Sequence, residues 1–300
     1  MTKSGVLKHH NDDYLEFINN LESDIMHSIK ELIQIALKED IGPGDITTDN
    51  IVDPEIMGKG IIVAKEPLVI AGLEISRDVF TCIDPDVVCR FMFKDGDSVA
   101  KDNVVMVIEG RLCTLLKGER TALNFIQRLS GIATNVRSYV EHLDDRKIRL
   151  VDTRKTIPGW RMLEKYAVRV GGAYNHRMGL YDGVLIKDNH IVACGGITKA
   201  VESLRGKVSH LVKIEVEVSD LASVKEALEA KAEVIMLDNM DIDRIREAVT
   251  LIDNKAIIEV SGGITKESLK LLSGSGVDII SVGALTHSAR SMDLSMRIVQ

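Results

Sequence analysis

The chain has few cysteines, no long apolar run and no excess of positive charge. Four cysteines occur in 300 residues, and Cys82, Cys89, Cys113 and Cys194 stand apart without a CxxC pair or metal-ligand spacing. That scatter argues against a disulfide framework or structural zinc, and the four read as core thiols in a reducing compartment. No uninterrupted apolar stretch approaches the roughly 20 residues of a membrane span. The N-terminus has no basic segment leading into an apolar core and small-residue cleavage site, so a cytoplasmic protein is expected. With a net charge of −7, the molecule as a whole repels nucleic acid and acidic membranes, and neither is expected as a partner. An anionic substrate must therefore be drawn in by a local cationic patch.

What is present is an ordinary globular mixture, 45% hydrophobic and 28% charged, long enough for two domains or a barrel with an extra module. Residues 1–22 are polar and read as a frayed arm, with His9 and His10 solvated. From Ile25 to Leu37 apolar residues recur at helical spacing, and the Gly-Pro-Gly of EDIGPGDITTD ends that helix. The runs GIIVAKEPLVIAG, VVCRFMF and VVMVIEG between Gly60 and Gly110 predict a small β-rich module. Its DGDSVAKDN turn is like that of carrier-protein hammerheads, but no lysine sits in a matching hairpin, and no cofactor is assigned to it. Residues 118–143 read as a helix interrupted near Ser130-Gly131.

From Ile148 onward the pattern becomes regular. Six short β-rich runs, IRLVDT, GVLIKD, LVKIEVEV, EVIMLD, AIIEVSGG and DIISVGA, alternate with amphipathic helical stretches such as GWRMLEKYAVRV and LASVKEALEA. Such alternation demands a parallel sheet, and a β/α barrel is expected. The expected division is 1–129 for the N-terminal helix and β-rich module, and 130–300 for the barrel.

In β/α barrels, catalytic groups lie at the C-terminal ends of the strands. Here those ends carry Asp152-Thr153-Arg154-Lys155, Lys187-Asp188-Asn189-His190, Glu215 and Glu217, Asp238-Asn239, Ser261-Gly262-Gly263, and Gly283. The last two are Gly-rich turns entering helices, where backbone N–H groups can approach a phosphate; for either one alone a tight βα turn explains the glycines equally well, but two on adjacent strands favour one phosphate held jointly. The missing cationic patch lies between Asp152 and His190, where Arg154, Lys155, Arg161, Lys165, Arg169, Arg177 and Lys187 outnumber Asp152, Glu164, Asp182 and Asp188. Arg161, Lys165 and Arg169 follow one another at four-residue steps, so two of the three are expected on a solvated helical face. Arg154, Lys155 and Lys187 fall at strand ends and should share an opening. His176-Arg177 adds donors suited to carboxylates. Lys213, Glu215 and Glu217 alternate along one strand and should face the barrel interior, with a Lys213–Glu215 ion pair as the plain reading. Glu217 and Asp238 suit ribose hydroxyls, or magnesium reached through water.

With DTRKTIPGWR, GGAYNHRMGLYDGVLIKDNHI, KIEVEVS, VIMLDNM, EVSGGIT and SVGALTHSA in order, and with EDIGPGDITT and GERTALNFIQRLSGIAT before them, the sequence resembles the quinolinate phosphoribosyltransferases. The resemblance runs from about Ile25 to the C-terminus. It implies an incomplete parallel β/α barrel of about six strands with an N-terminal α/β open-sheet module, and a C-terminal helix that returns to that module. It also implies decarboxylating transfer of phosphoribose from phosphoribosyl pyrophosphate to quinolinate, with Mg2+, in a homodimer or higher assembly. By that resemblance Arg154, Lys155, His176, Arg177 and Lys187 would bind the quinolinate carboxylates and neighbouring phosphate, with Arg120 added from the partner subunit and Thr153 beside them. Glu217 and Asp238 would face the ribose and its metal, and Lys155, Lys187, Glu217 and Asp238 would be catalytic. Ser261, Gly262, Gly263, Val282, Gly283 and Ala284 would hold the 5′-phosphate. Two other readings remain: a phosphoribosyltransferase for a monocarboxylate such as nicotinate, and a non-catalytic phosphosugar-binding barrel.

Overall fold

The computed structural model describes residues 28–299; the polar arm with His9 and His10, and the predicted helix start at Ile25, lie outside them. The first helix, α1, covers residues 28–41, with Ile33 and Leu37 buried. There follow α2 (Thr48–Ile51), β1 (Met57–Ala64), β2 (Leu68–Val69), α3 (Leu73–Ile83), β3 (Val88–Phe91), β4 (Ser98–Val99), β5 (Val104–Arg111) and α4 (Leu112–Val140). β1, β5 and β3 form an antiparallel sheet, and α3 and α4 pack together. The β-rich expectation for this module missed α3, whose buried face of Leu73, Ile75, Ser76, Val79 and Phe80 has helical spacing.

α4 is continuous through Ser130-Gly131, where an interruption was predicted. A Cβ at Gly131 would collide with the carbonyl of Arg290. That glycine therefore admits a neighbouring backbone and does not break the helix.

Beyond α4 come β6 (Arg149–Val151), α5 (Arg161–Gly171), β7 (Val184–Ile186), α6 (Asp188–Cys194), α7 (Ile197–Arg205), β8 (Ile214–Val218), α8 (Leu221–Glu229), β9 (Val234–Asp238), α9 (Ile242–Ile252), β10 (Ile257–Ser261), α10 (Lys266–Leu272), β11 (Ile279–Ser281), α11 (Ala284–His287) and β12 (Leu294–Val299). All six predicted strands are present and pair in the order β6-β11-β10-β9-β8-β7, every pair parallel. β6 and β7 are the two outer strands and do not pair with each other, so the barrel is incomplete. The strands are nearly continuous apolar runs, as parallel strands covered on both faces must be: in β9, Val234 to Leu237 are all buried. Helix starts are fixed by side-chain caps, with Asp220 accepting from Ser223 N at 2.8 Å and Asp241 from Arg244 N at 2.9 Å.

The chain does return to the N-terminal module, but as a strand where a helix was expected. β12 pairs antiparallel with β1, from Lys59 opposite Val299 to Ala64 opposite Leu294. Leu294 and Met296 are buried and alternate with more exposed neighbours, the period of a strand. Among the described residues no helix is long and apolar enough to cross a membrane.

Candidate active site

The C-terminal ends of the six parallel strands surround a cavity of about 720 Å3. Thr153, Arg154, Lys155, His176, Arg177, Lys187, Glu217, Asp238, Ser261, Gly262, Gly263, Val282, Gly283 and Ala284 all line it. Arg120 does not: it lies exposed on α4, outside this cavity. Among the described residues Arg154, Lys155 and Arg177 form no ion pair, although the chain is acidic overall. Arg177 is held by a bond from its Nη1 to the carbonyl of Gly183 at 2.8 Å, and burial together with the nearby charge of Arg154 lowers its pKa. Lys187 is paired with the carboxylate of Glu217 across the ends of β7 and β8.

The positive segment is mounted on a buried polar frame. Lys165 is 1% exposed and bonds Asp152 Oδ1 at 2.5 Å and the carbonyl of His176 at 3.0 Å. Asp152 also accepts the His176 N–H at 2.9 Å and the Asn175 side-chain amide at 2.7 Å. Burial raises the pKa of Asp152, and Lys165 opposes that shift. Lys165 thus belongs to the core, where a solvated helical face was expected; Arg161 is tied to Thr156 Oγ1 and the Met178 carbonyl, and only Arg169 is exposed. Helical spacing could not reveal this, because the partner of Lys165 arrives from β6.

Glu215 on β8 and Glu259 on β10 are buried next to His176 and do not themselves line the cavity. His176 Nε2 lies 3.3 Å from Glu215 Oε2 and 3.6 Å from Glu259 Oε1. The predicted Lys213–Glu215 pair is absent among the described residues, and Lys213 is exposed. Burial, then the charge of Glu215, raises the Glu259 carboxyl to about 7. Burial works against charge on His176, but the two glutamates outweigh it and raise its pKa.

These three side chains place ligand-type atoms within 4.8 Å of one another. However, His176 Nδ1 accepts the backbone N–H of Arg177 at 2.8 Å. An accepting Nδ1 puts the proton of the neutral ring on Nε2, which then donates to the glutamates and has no lone pair for a metal. Both ring nitrogens are thereby engaged within the protein. Glu259 was missed at the sequence level, although a lone charged residue inside the apolar run IIEVS was a usable signal.

After β10, Gly262 has φ +90°, and a Cβ there would lie 2.8 Å from Asn239 N. Gly263 has φ +61°. Among the described residues the N–H groups of Gly262, Gly263, Gly283 and Ala284 have no protein acceptor. Two turns on adjacent strands, β10 and β11, thus offer free donors to the same space, as an oxyanion requires. Asn239, Thr265 and His287 also line the cavity; sequence reading gave them no role.

Residues 45–130 match the N-terminal domain of quinolinate phosphoribosyl transferase, and residues 132–297 match the C-terminal domain. The chain is 48% identical over 270 residues to a probable nicotinate-nucleotide pyrophosphorylase [carboxylating] of Bacillus subtilis, covering 90% of this chain and 93% of that protein. It is 47% identical over 271 residues to a protein of the same description from Synechocystis, covering 89% and 92%. The crystal structure of NadC from Streptococcus pyogenes superposes with a TM-score of 0.87 at 44% identity, covering 90% of this chain and 96% of that one.

Proposed function

This chain belongs to the quinolinate phosphoribosyltransferase family, and we propose that its strand-end cavity is where quinolinate meets phosphoribosyl pyrophosphate. The protein is a pentosyltransferase that forms nicotinate mononucleotide, pyrophosphate and CO2 from these two substrates, in NAD biosynthesis. The observation that carries the assignment of the cavity is the group of unpaired cations, Arg154, Lys155 and Arg177, lining the same cavity as the free N–H groups of two glycine turns. A dianionic pyridine and a phosphorylated sugar need those two kinds of donor together.

In this reading Arg154, Lys155, Arg177 and Lys187 take the quinolinate carboxylates and the neighbouring phosphate, with Thr153 shaping their turn: its Oγ1 accepts the N–H of Lys155 at 3.1 Å. His176, engaged at both nitrogens, serves the carboxylate side by fixing the Arg177 main chain. Ser261, Gly262, Gly263, Val282, Gly283 and Ala284 hold the 5′-phosphate through backbone N–H groups and close approach. Glu217 and Asp238 face the ribose. They are adjacent strand-end carboxylates, a hard-oxygen set that suits Mg2+; with Glu217 held by Lys187 and Asp238 Oδ2 accepting from Asn239 at 2.7 Å, they fit an ion kept in its water shell. Bound there with phosphoribosyl pyrophosphate, Mg2+ would offset the charge of the departing pyrophosphate.

The chemistry asks for positioning and charge stabilisation, with no covalent nucleophile. The pyridine nitrogen attacks ribose C1 as the bond to pyrophosphate breaks, and positive charge builds on the ribose ring. Glu217 and Asp238 face that charge, while Lys155 and the glycine turns face the anionic side. The N-ribosylated ring then carries positive charge, which stabilises the electron pair left at C2 when that carboxylate departs as CO2, and a proton taken up from water at C2 completes nicotinate mononucleotide.

Arg120 is exposed and does not line this cavity, which fits a homodimer in which it completes the neighbouring site. Purified protein supplied with quinolinate, phosphoribosyl pyrophosphate and Mg2+ is expected to release nicotinate mononucleotide and labelled CO2 in equal amounts, with nicotinate as the control acceptor. Nucleotide formed from nicotinate without CO2 would replace this reading by the monocarboxylate one, and saturable binding without turnover would favour the accessory barrel.

A further inference from the structure

Thr286 is fully buried on α11, and its hydroxyl lies between two carbonyls. A threonine in a helix ordinarily bonds back to its own preceding turn, and Gly283 O is available at 3.1 Å. The shorter bond goes elsewhere: Thr286 Oγ1 donates to the carbonyl of Lys155 at 2.7 Å, across 131 residues of sequence. The Lys155 side chain runs along the same turn, so close that a Cβ on Gly283 would lie 2.8 Å from Lys155 Cδ.

A second group spans the same gap from behind. Arg128 on α4 donates to the Thr286 carbonyl at 2.9 Å and to the Ala289 carbonyl at 2.6 Å, and its Nε and Nη2 bond Glu164 Oε1 at 3.1 and 2.7 Å. Glu164 Oε2 in turn accepts the N–H of Ile157, two residues past Lys155, at 3.2 Å. Asn135, also on α4, donates to the carbonyls of Ala284 and Leu285. The turn carrying Lys155 and the turn carrying the free N–H groups of Gly283 and Ala284 are therefore parts of one hydrogen-bonded bracket.

We propose that Thr286 is a positioning residue for the transfer reaction, holding the Lys155 turn against the Gly283 turn so that the ammonium and the backbone N–H groups form a single anion cradle. The proposal rests on the transferase reading above. Thr286 touches no substrate itself; it acts through Lys155. Losing the hydroxyl frees the Lys155 carbonyl to rotate, and a cation displaced by even about 1 Å from its productive position loses much of its effect.

The test compares Thr286→Val, which keeps the shape and removes the hydroxyl, with Thr286→Ser, which keeps the hydroxyl. Two readouts are taken: calorimetric binding of phosphoribosyl pyrophosphate with Mg2+, which needs no turnover, and steady-state kinetics with each substrate varied. Thr286→Val is expected to weaken phosphoribosyl pyrophosphate binding at least fivefold and to lower kcat at least tenfold. The loss of phosphoribosyl pyrophosphate binding should exceed any rise in the KM for quinolinate, whose carboxylates Arg154, Arg177 and Lys187 still hold, and Thr286→Ser should restore both losses. Unchanged binding in Thr286→Val overturns the proposal, as does a loss shared equally by Thr286→Ser or accompanied by an equal loss of quinolinate affinity. An unaltered protein that binds phosphoribosyl pyrophosphate but makes no nucleotide from quinolinate defeats the transferase reading instead, and the binding arm still decides the role of Thr286.

Discussion

Lys165 Nζ on α5 and Asp152 Oδ1 at the end of β6 meet at 2.5 Å, with 1% and 0% of their side chains exposed. A buried pair contributes little net stability compared with apolar residues of the same shape, but removing one partner strands the other charge at a cost of about 3–5 kcal/mol. Lys165→Ala is therefore expected to lower the unfolding free energy by about that amount, measured by urea denaturation. Arg169→Ala, at the exposed position on the same helix, should change it by less than about 0.5 kcal/mol.

Glu259 gives the fold a pH dependence of definite sign. Burial and Glu215 hold its carboxyl at about 7, against 4.5 for a free glutamate. Between those values the unfolded chain releases the proton and the folded one keeps it. Raising the pH therefore costs stability, by up to about 1.4 kcal/mol per pH unit, and the loss levels off above about 7. Glu259→Gln cannot titrate and should lack this decline. Melting temperatures of both proteins from pH 4.5 to 8 check it: parallel curves would show that Glu259 is ionised throughout.

At Gly262 the φ of +90° and the contact with Asn239 both exclude a side chain. Gly262→Ala is expected to cost about 1–3 kcal/mol in stability and to weaken binding of phosphoribosyl pyrophosphate more than that of quinolinate. Gly263, whose Cβ would meet nothing within 4 Å, bears only the strain of its φ of +61°, so Gly263→Ala should be the milder change. Calorimetric titration of each variant with both substrates separates the two.

Lys155 is exposed at the end of β6 and packs into no core. Lys155→Ala should keep the melting temperature and lose about 100-fold or more in kcat. Arg120→Ala should likewise keep the fold and lose turnover, because the proposed homodimer uses it in the neighbouring site. Mixing the two inactive variants under subunit exchange should then restore about a quarter of the unaltered activity, since a mixed dimer contains one complete site. No recovery after demonstrated exchange would place Arg120 outside the partner's site.

Much of the site was legible in the chain because barrel geometry is periodic. Once six apolar runs alternate with amphipathic helices, the residue after each run must lie at one rim, and Arg154, Lys187, Glu217, Asp238, Gly262 and Gly283 indeed line one cavity. What local pattern could not give was the identity of partners brought from other elements. Lys165 has the spacing of a surface helix, yet Asp152 on the neighbouring strand end draws it inside. Gly131 looks like a helix breaker, yet it admits the backbone of Arg290. Thr286 is an unremarked hydroxyl until Lys155 is folded against it.

The fold class, the strand and helix order of the second half and the rim residues can be read along the chain, because each depends on composition and short-range periodicity. The folded arrangement set which charges are paired and which are free. It also decided that His176 spends both nitrogens on Arg177 and Glu215, that the C-terminal segment closes the first sheet as a strand, and that Arg120 lies away from the cavity. Burial and pairing depend on what the rest of the chain brings alongside a residue, and a side chain's neighbours in sequence do not specify that.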